Sequence, residues 1–335
     1  MSTKGDNIIT VKNELSTKAG DYIHTPLFAK LRGNPLDQTG NLVGNEIAIG
    51  NYSCGFRTNM VQQAVTIPVS EEIKTELDLR SIAGAGLKRY AAERLKVDLQ
   101  TAFFSVPVGT GTNVEDTTVA YGAANATQLN AYCVANSDRL LFSGGSNTNT
   151  MSTSIATVAA DTGVLSAKTL CAAKDMAEQT TNSSLFAITP YMTKSGQEWF
   201  VLFVDPKGFR QLQADAEIRA ATKDARPREK DFEDNPLFNG GDLLFDGIII
   251  KKARDYTSVS ASGGASGVAV GQAQLCGINS VLMGYSMKTK PTRLNEDKYQ
   301  TVYGVGFQEY RGQTKVSVNG TQTGMVSIFH SEASV

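Results

Sequence analysis

A chain of 335 residues with 41% apolar residues, 31 glycines and a formal net charge of −1 can form one large domain or two to three lobes with separate cores. Its 32 basic and 33 acidic side chains argue against a protein that grips nucleic acid through phosphates, which needs a basic surplus or stripe. No apolar run approaches the roughly 18 residues of a membrane span, and the opening MSTKGDNIITVKNELSTKAG lacks the apolar centre of a signal peptide.

The first twenty residues are polar and mixed, the composition of an arm that needs a partner to become ordered. DYIHTPLFAKL, from Asp21 to Leu31, reads as a strand, and Arg32 to Gly50 as a long loop rich in glycine. Met60 to Val69 alternates, with Val61, Val65, Ile67 and Val69 on one side, the period of a half-buried strand. The two strands around the loop are expected to form a hairpin that is marginal alone and lies on a neighbouring subunit. Pro68 and Ser70 then open a helix to about Ser105, with Ser70 as cap and Glu71 and Glu72 in its first turn. Leu79, Ala83, Leu87, Tyr90, Leu95, Leu99 and Phe103 follow helical spacing, while Gly84 and Gly86 mark a bend or a close helix-to-sheet contact.

Val106 to Gly163 reads as a loop-rich, strand-poor section. A second helix follows over Ser166 to Glu178, then strands at ITPYM, WFVLFV and GIIIKK. The stretch Val201 to Tyr256 is the most regular of the chain: strand, Asp-Pro turn, helix, charged loop, tight turn, buried strand. SASGGASG, from Ser260, reads as a flexible tip. YGVGFQEYRGQTKVSVNG and MVSIFH read as a closing hairpin with its turn at Asn319-Gly320. The fold class is α+β with mixed sheets.

Chemistry is hard to find in this pattern. Cys54, Cys133, Cys171 and Cys276 are scattered and read as buried reduced thiols. His24 and His330, the two histidines, have no flanking motif. The nucleophile elbow, the phosphate loop and the dinucleotide fingerprint are all missing. Trp199, Phe200 and Phe203 fall in one buried-looking strand, so they read as core rather than as a platform for bases. KDARPREKDFED, from Lys223 to Asp234, carries four basic and five acidic side chains around a proline. It suits salt bridges to a neighbour, each worth about 0–1 kcal/mol. No catalytic residue, metal ligand or cofactor is expected.

The order of segments resembles the major capsid proteins of tailed bacteriophages, specifically the podovirus-type coat proteins. KAGDYIHTPLFAKLRGNP and NLVGNEIAIG resemble that family's hairpin segment, and EIKTELDLRSIAGAGLKRYAAERLKVDLQTAFF its long helix. NSDRLLFSGG, LSAKTLCAAKDMA, LFVDPKGFRQLQAD, NPLFNGGDLLFDGIII, GINSVLMGYS and YGVGFQEYRGQTKV follow in the family's order. The resemblance implies the Hong Kong ninety-seven-type capsid fold. Residues 1–20 would be its N-terminal arm, 21–69 its extended loop, 70–160 and 305–335 its peripheral domain, and 161–304 its axial domain. It implies a subunit that assembles into pentamers and hexamers of an icosahedral head around double-stranded DNA, without sequence-specific binding and without a membrane. A separate scaffolding protein, a portal and, where one is present, a decoration protein would be its other partners. Asn34, Asp37, Asn45 and Glu46 in the loop, and Arg226, Arg228, Glu229 and Asp231 in the charged run, are the candidate contacts between subunits. The alternatives are a cellular nanocompartment shell of the same fold and a hydrolase using hidden carboxylates such as Asp231 and Glu233.

Overall fold

Two larger sheets and three two-stranded ones hold the strands of this computed structural model, which describes residues 7–13, 20–28, 51–108, 117–179, 188–192, 196–224, 243–254, 258–294 and 301–333. The chain enters with β1 (Ile9–Lys12), and β2 (Tyr22–Phe28) then pairs antiparallel with β3 (Asn51–Arg57). The sequence pattern placed the second arm of the hairpin at 60–69. That stretch instead forms β4 (Asn59–Pro68), which belongs to a different sheet and is exposed along most of its length, with Ile67 its buried residue. Its alternation is therefore not the signature of half-burial within this subunit.

A short α1 (Val69–Glu72) follows, and the long α2 (Leu79–Phe103) begins only after a break. The cap is Asp78, whose carboxylate accepts from the Ser81 N–H at 3.2 Å, whereas no side chain caps α1. An acidic side chain at a cap satisfies an otherwise orphaned donor and suits the positive end of the helix dipole. Gly84 and Gly86 lie inside α2 with open space around them, so neither marks a close approach to a sheet. Burial concentrates in the last turns, at Asp98, Leu99, Ala102 and Phe103.

The section expected to be loop-rich is better ordered. It holds β5 (Ser105–Val108), paired with β6 (Thr117–Ala120), then α3 (Ala126–Ala135), β7 (Leu140–Phe142) and α4 (Met151–Ala156). Asn125 and Gln128 form a capping box that starts α3, a signal hidden among many polar residues. α5 (Ala167–Glu178), capped by Ser166, buries Leu170, Ala173 and Ala177 as its spacing predicts.

β8 (Tyr191–Met192) pairs with β9 (Glu198–Val204), and Asp205-Pro206 opens α6 (Pro206–Ala214). Asp205 accepts from the N–H groups of Lys207 and Gly208, and proline occupies the first turn, where a missing N–H costs nothing. α7 (Ala216–Asp224), β10 (Leu243–Phe245) and β11 (Ile248–Lys252) complete the unit. SASGGASG is not a loose tip. Ala265 donates to the Val158 carbonyl and Gly264 to that of Val268, which seats it on the end of α4.

β12 (Val270–Cys276), β13 (Val281–Arg293) and β14 (Val302–Lys315) come next, then the two-residue strands β15 (Ser317–Val318) and β16 (Thr321–Gln322), and last β17 (Met325–Ser331). Asn319 and Gly320, at φ of 50° and 78°, make the predicted turn. The long strands on either side do not pair with each other, contrary to the closing hairpin expected. β14 lies between β13 and β4 in a sheet of order β1-β13-β14-β4. β17 joins the other sheet, β10-β11-β9-β12-β17-β7, between β12 and β7. The main core, including Leu170, Leu202, Leu212, Ile250, Leu275 and Ile328, packs α5 and α6 onto that second sheet.

Candidate assembly surface

The eight residues proposed from sequence as subunit contacts, Asn34, Asp37, Asn45, Glu46, Arg226, Arg228, Glu229 and Asp231, lie outside the described residues. What the structure does place is the foot of the hairpin that carries the first four. Ile23 of β2 and Cys54 and Phe56 of β3 are buried against Leu282 and Val316. The slot they enter depends on a cross-strand glycine pair, Gly284 and Gly312. A Cβ at Gly284 would meet Ile23 Cδ1 at 2.2 Å, and one at Gly312 the Arg57 carbonyl at 2.2 Å. Glycine in a strand interior is the sequence signal for such a close approach, and it was present in VLMGYS and YRGQT. The hairpin is thus anchored at its foot on its own subunit.

Three buried polar clusters test for chemistry. In the first, His330 Nε2 lies 2.9 Å from Asp205 Oδ1, and its Nδ1 lies 3.1 Å from the Ser331 carbonyl. Gly208 and Gly271 wall the ring: a Cβ at either would come within 2.8–2.9 Å of His330 Cε1. Burial pushes the Asp205 carboxyl up, but the His330 hydrogen bond and charge and the two N–H groups outweigh it, holding the group below the usual range. This pair is sealed, with no room for substrate. It ties the end of β17 to the start of α6.

In the second, Arg311 of β14 reaches Asp98 of α2 at 2.5 Å and Glu309 at 2.9 Å, and Arg94 reaches the other oxygen of Asp98 at 3.0 Å. Thr289 donates to Glu309 at 2.7 Å. Two cations meet two carboxylates, so the cluster is internally neutral and pins the long helix to its sheet. In the third, buried Lys315 donates to Gln322 Oε1 at 3.2 Å, and the Tyr132 hydroxyl donates to the same oxygen at 2.9 Å. Burial pushes the Lys315 amine down to about 7. Asn136 at the end of α3 bonds the Gly320 carbonyl and the Gln322 N–H, so the cluster holds the Asn319-Gly320 turn. Each cluster has a structural use and none opens on a cleft.

Among the described residues no group of three or more His, Cys, Asp and Glu side chains could hold a metal ion. Cys54, Cys133 and Cys276 are buried free thiols as expected, but Cys171 is exposed on α5. Among the described residues no helix is long and apolar enough to cross a membrane. Apolar side chains do stand exposed, at Met60 and Val65 on β4, Ile73 and Leu77 before α2, and Ile82, Tyr90 and Val97 along it.

A family model described as "Phage capsid protein" matches residues 1–333. The chain belongs to that family. Comparison with curated proteins gave no match. Among solved structures, this phage capsid protein is similar to the capsid of cyanophage Pam1, at a TM-score of 0.88 and 32% identity, over 99% of this chain and 90% of that one. The capsid of Ralstonia phage GP4 superposes at 0.72 with 20% identity, over 98% and 88% of the two chains. That of Helicobacter pylori bacteriophage KHP30 does so at 0.67 with 13% identity, over 98% and 89%. The fold is that of the Hong Kong ninety-seven-type capsid proteins, and the phage capsid protein is a structural component of the virion.

Proposed function

We propose that this protein is the major coat subunit of a tailed, podovirus-type phage, assembling as pentamers and hexamers into an icosahedral head around double-stranded DNA. The observation that carries this reading is the likeness to a phage capsid along 99% of the chain. The near-zero net charge is consistent with it, since a strongly basic inner wall would hold the genome tightly. Modest interfaces suffice, because in a closed symmetric shell each subunit is held by several at once. Residues 1–20 serve as the arm, 21–69 as the extended loop, 70–160 and 305–335 as the peripheral domain, and 161–304 as the axial domain. β17, in the segment 305–335, hydrogen-bonds within the sheet that holds β9, β11 and β12 of the segment 161–304, so any rearrangement of the two domains would have to carry that sheet as one body. The eight loop and charged-run residues are proposed as contacts between subunits. Assembly takes place in the host cytoplasm on a separate scaffolding protein, with a portal at one vertex.

Electron microscopy of the expressed chain, with its scaffolding protein where needed, tests this reading. Closed icosahedral shells are expected, and native particles should absorb as nucleic acid. Shells free of DNA and filled with enzyme would overturn the phage assignment, and a chain that stays monomeric under all assembly conditions would overturn the coat assignment.

A further inference from the structure

The chain carries two unlike surfaces that complement each other and that one subunit cannot bring together. The first is a groove of about 540 Å³ beside the C-terminal third of α2. Its floor is apolar, formed by Ile9, Leu95, Leu99, Phe103 and Phe203, the open side of a buried cluster that also includes Val281 and Met283. Its rim is basic, with Lys96 from the helix and Lys251, Lys252 and Arg254 from the end of β11 and the residues after it. No carboxylate lines it among the described residues. An apolar floor under a cationic rim fits an anionic segment that also presents branched aliphatic side chains.

The second surface is the end of α1 and the break before α2, EEIKTELD from Glu71 to Asp78. Ile73 and Leu77 are 80% and 61% exposed there, in the turn and bend that separate the two helices. Four carboxylates surround them. Glu72 is held by Arg80 at 2.7 Å and Asp78 caps α2, which leaves Glu71 and Glu76 as the pair directed to a partner. Lys74 is the one basic residue within the stretch.

The two surfaces lie at opposite ends of α2. At 1.5 Å per residue, Leu79 at the start of α2 and Leu99 are about 30 Å apart along the helix axis, so the segment before the helix cannot reach the groove of its own subunit. We infer that the acidic segment around Ile73 and Leu77 of one copy docks in the basic apolar groove beside α2 of the next, giving a head-to-tail contact. Such a contact uses different patches on its two sides and closes into rings when the rotation between copies permits. It deepens the coat-protein reading, on which it rests, by naming one contact within the assembly.

Paired charge reversal tests it. Glu71→Lys/Glu76→Lys and Lys251→Glu/Lys252→Glu should each lower the assembled fraction at least about tenfold in sedimentation velocity, while circular dichroism shows a folded subunit. Combining all four substitutions in one chain should restore assembly, since the charges again complement. Ile73→Ser/Leu77→Ser should weaken assembly without any change of charge. Wild-type levels of shells from either charge-reversed pair, or no recovery in the fourfold variant, would overturn the contact and leave the coat reading standing. Loss of assembly with the groove variants alone, while Glu71→Lys/Glu76→Lys assembles normally, would mean that the groove holds another anion and would likewise overturn it. A wild-type chain that never assembles would instead sink the coat reading itself.

Discussion

At the scale of single residues, the interior holds charge where a simple core would hold none, and Lys315 is the plainest case. Its amine is fully buried, and burial lowers its folded-state value to about 7 from 10.5. Between those two values the unfolded chain binds more protons than the folded one, so stability rises as pH rises from about 7 toward 10.5. Below about pH 7 both states are protonated and the full cost of the buried charge is present. Replacing Lys315 with Met should therefore stabilise the subunit at neutral pH, by an amount on the order of a few kcal/mol. Urea midpoints of the two proteins at pH 7 and pH 10 would check this: the gap should narrow at the higher pH, and a gap independent of pH would show that the lysine is not responsible. His330 follows another logic. It sits in a slot that only glycine at 208 and 271 leaves open, so the ring and both glycines form one unit.

At the scale of elements, the long helix depends on side chains that its own periodicity does not reveal. Leu79, Leu87, Leu95 and Leu99 follow helical spacing, yet Tyr90 on the same spacing is exposed and, apart from Leu87, the buried residues fall in the last turns. What fixes the helix against its sheet is the Asp98–Arg311 pair, whose partners are 213 positions apart in the chain. Removing Arg311 by substitution with Ala would leave Asp98 and Glu309 as buried carboxylates without their shared cation. A loss of about 3–5 kcal/mol is expected, read as a fall in the denaturant midpoint. A loss below about 1 kcal/mol would mean that packing alone holds the helix. Local signals were legible in the sequence. Asp205-Pro206 at the start of α6, Ser166 at the start of α5 and Asn319-Gly320 at the turn each act through neighbouring backbone. Pairing was not. The alternation of Met60 to Val69 suggests a partner for β2, but the stretch hydrogen-bonds to β14 instead, because strand period says which faces differ and nothing about which distant strand lies alongside. The α3 helix is hidden in the sequence because its capping box, Asn125 and Gln128, is built from residue types that also crowd loops.

At the scale of the whole molecule, most of the fold is explained without the hairpin loop and the charged run that the sequence singled out as contacts. The four-stranded sheet, the larger sheet and the helices between them close on their own cores. A chain lacking Gly33 to Gly50 should therefore fold, with the β2–β3 foot still seated on Gly284 and Gly312, and should fail to form closed shells. Circular dichroism and negative-stain images of that deletion check both halves. Normal shells would refute the role given to the loop, and an unfolded product would refute the independence of the core.

The strand β4 has a further consequence for the subunit before assembly. It is the last strand of its sheet, and among the described residues no strand pairs with its outer edge. From Thr58 to Ser70 the sequence carries no charge, and Pro68 interrupts donors only at its far end. Edge strands of lone proteins are commonly guarded by lysine, bulges or covering loops, because bare backbone recruits other strands indiscriminately. Here the outer rim lacks a charged guard. On the proposed coat-subunit reading, a free subunit would be a perishable intermediate whose useful lifetime is set by how soon it is captured, and synthesis faster than capture would divert chains into precipitate rather than into heads.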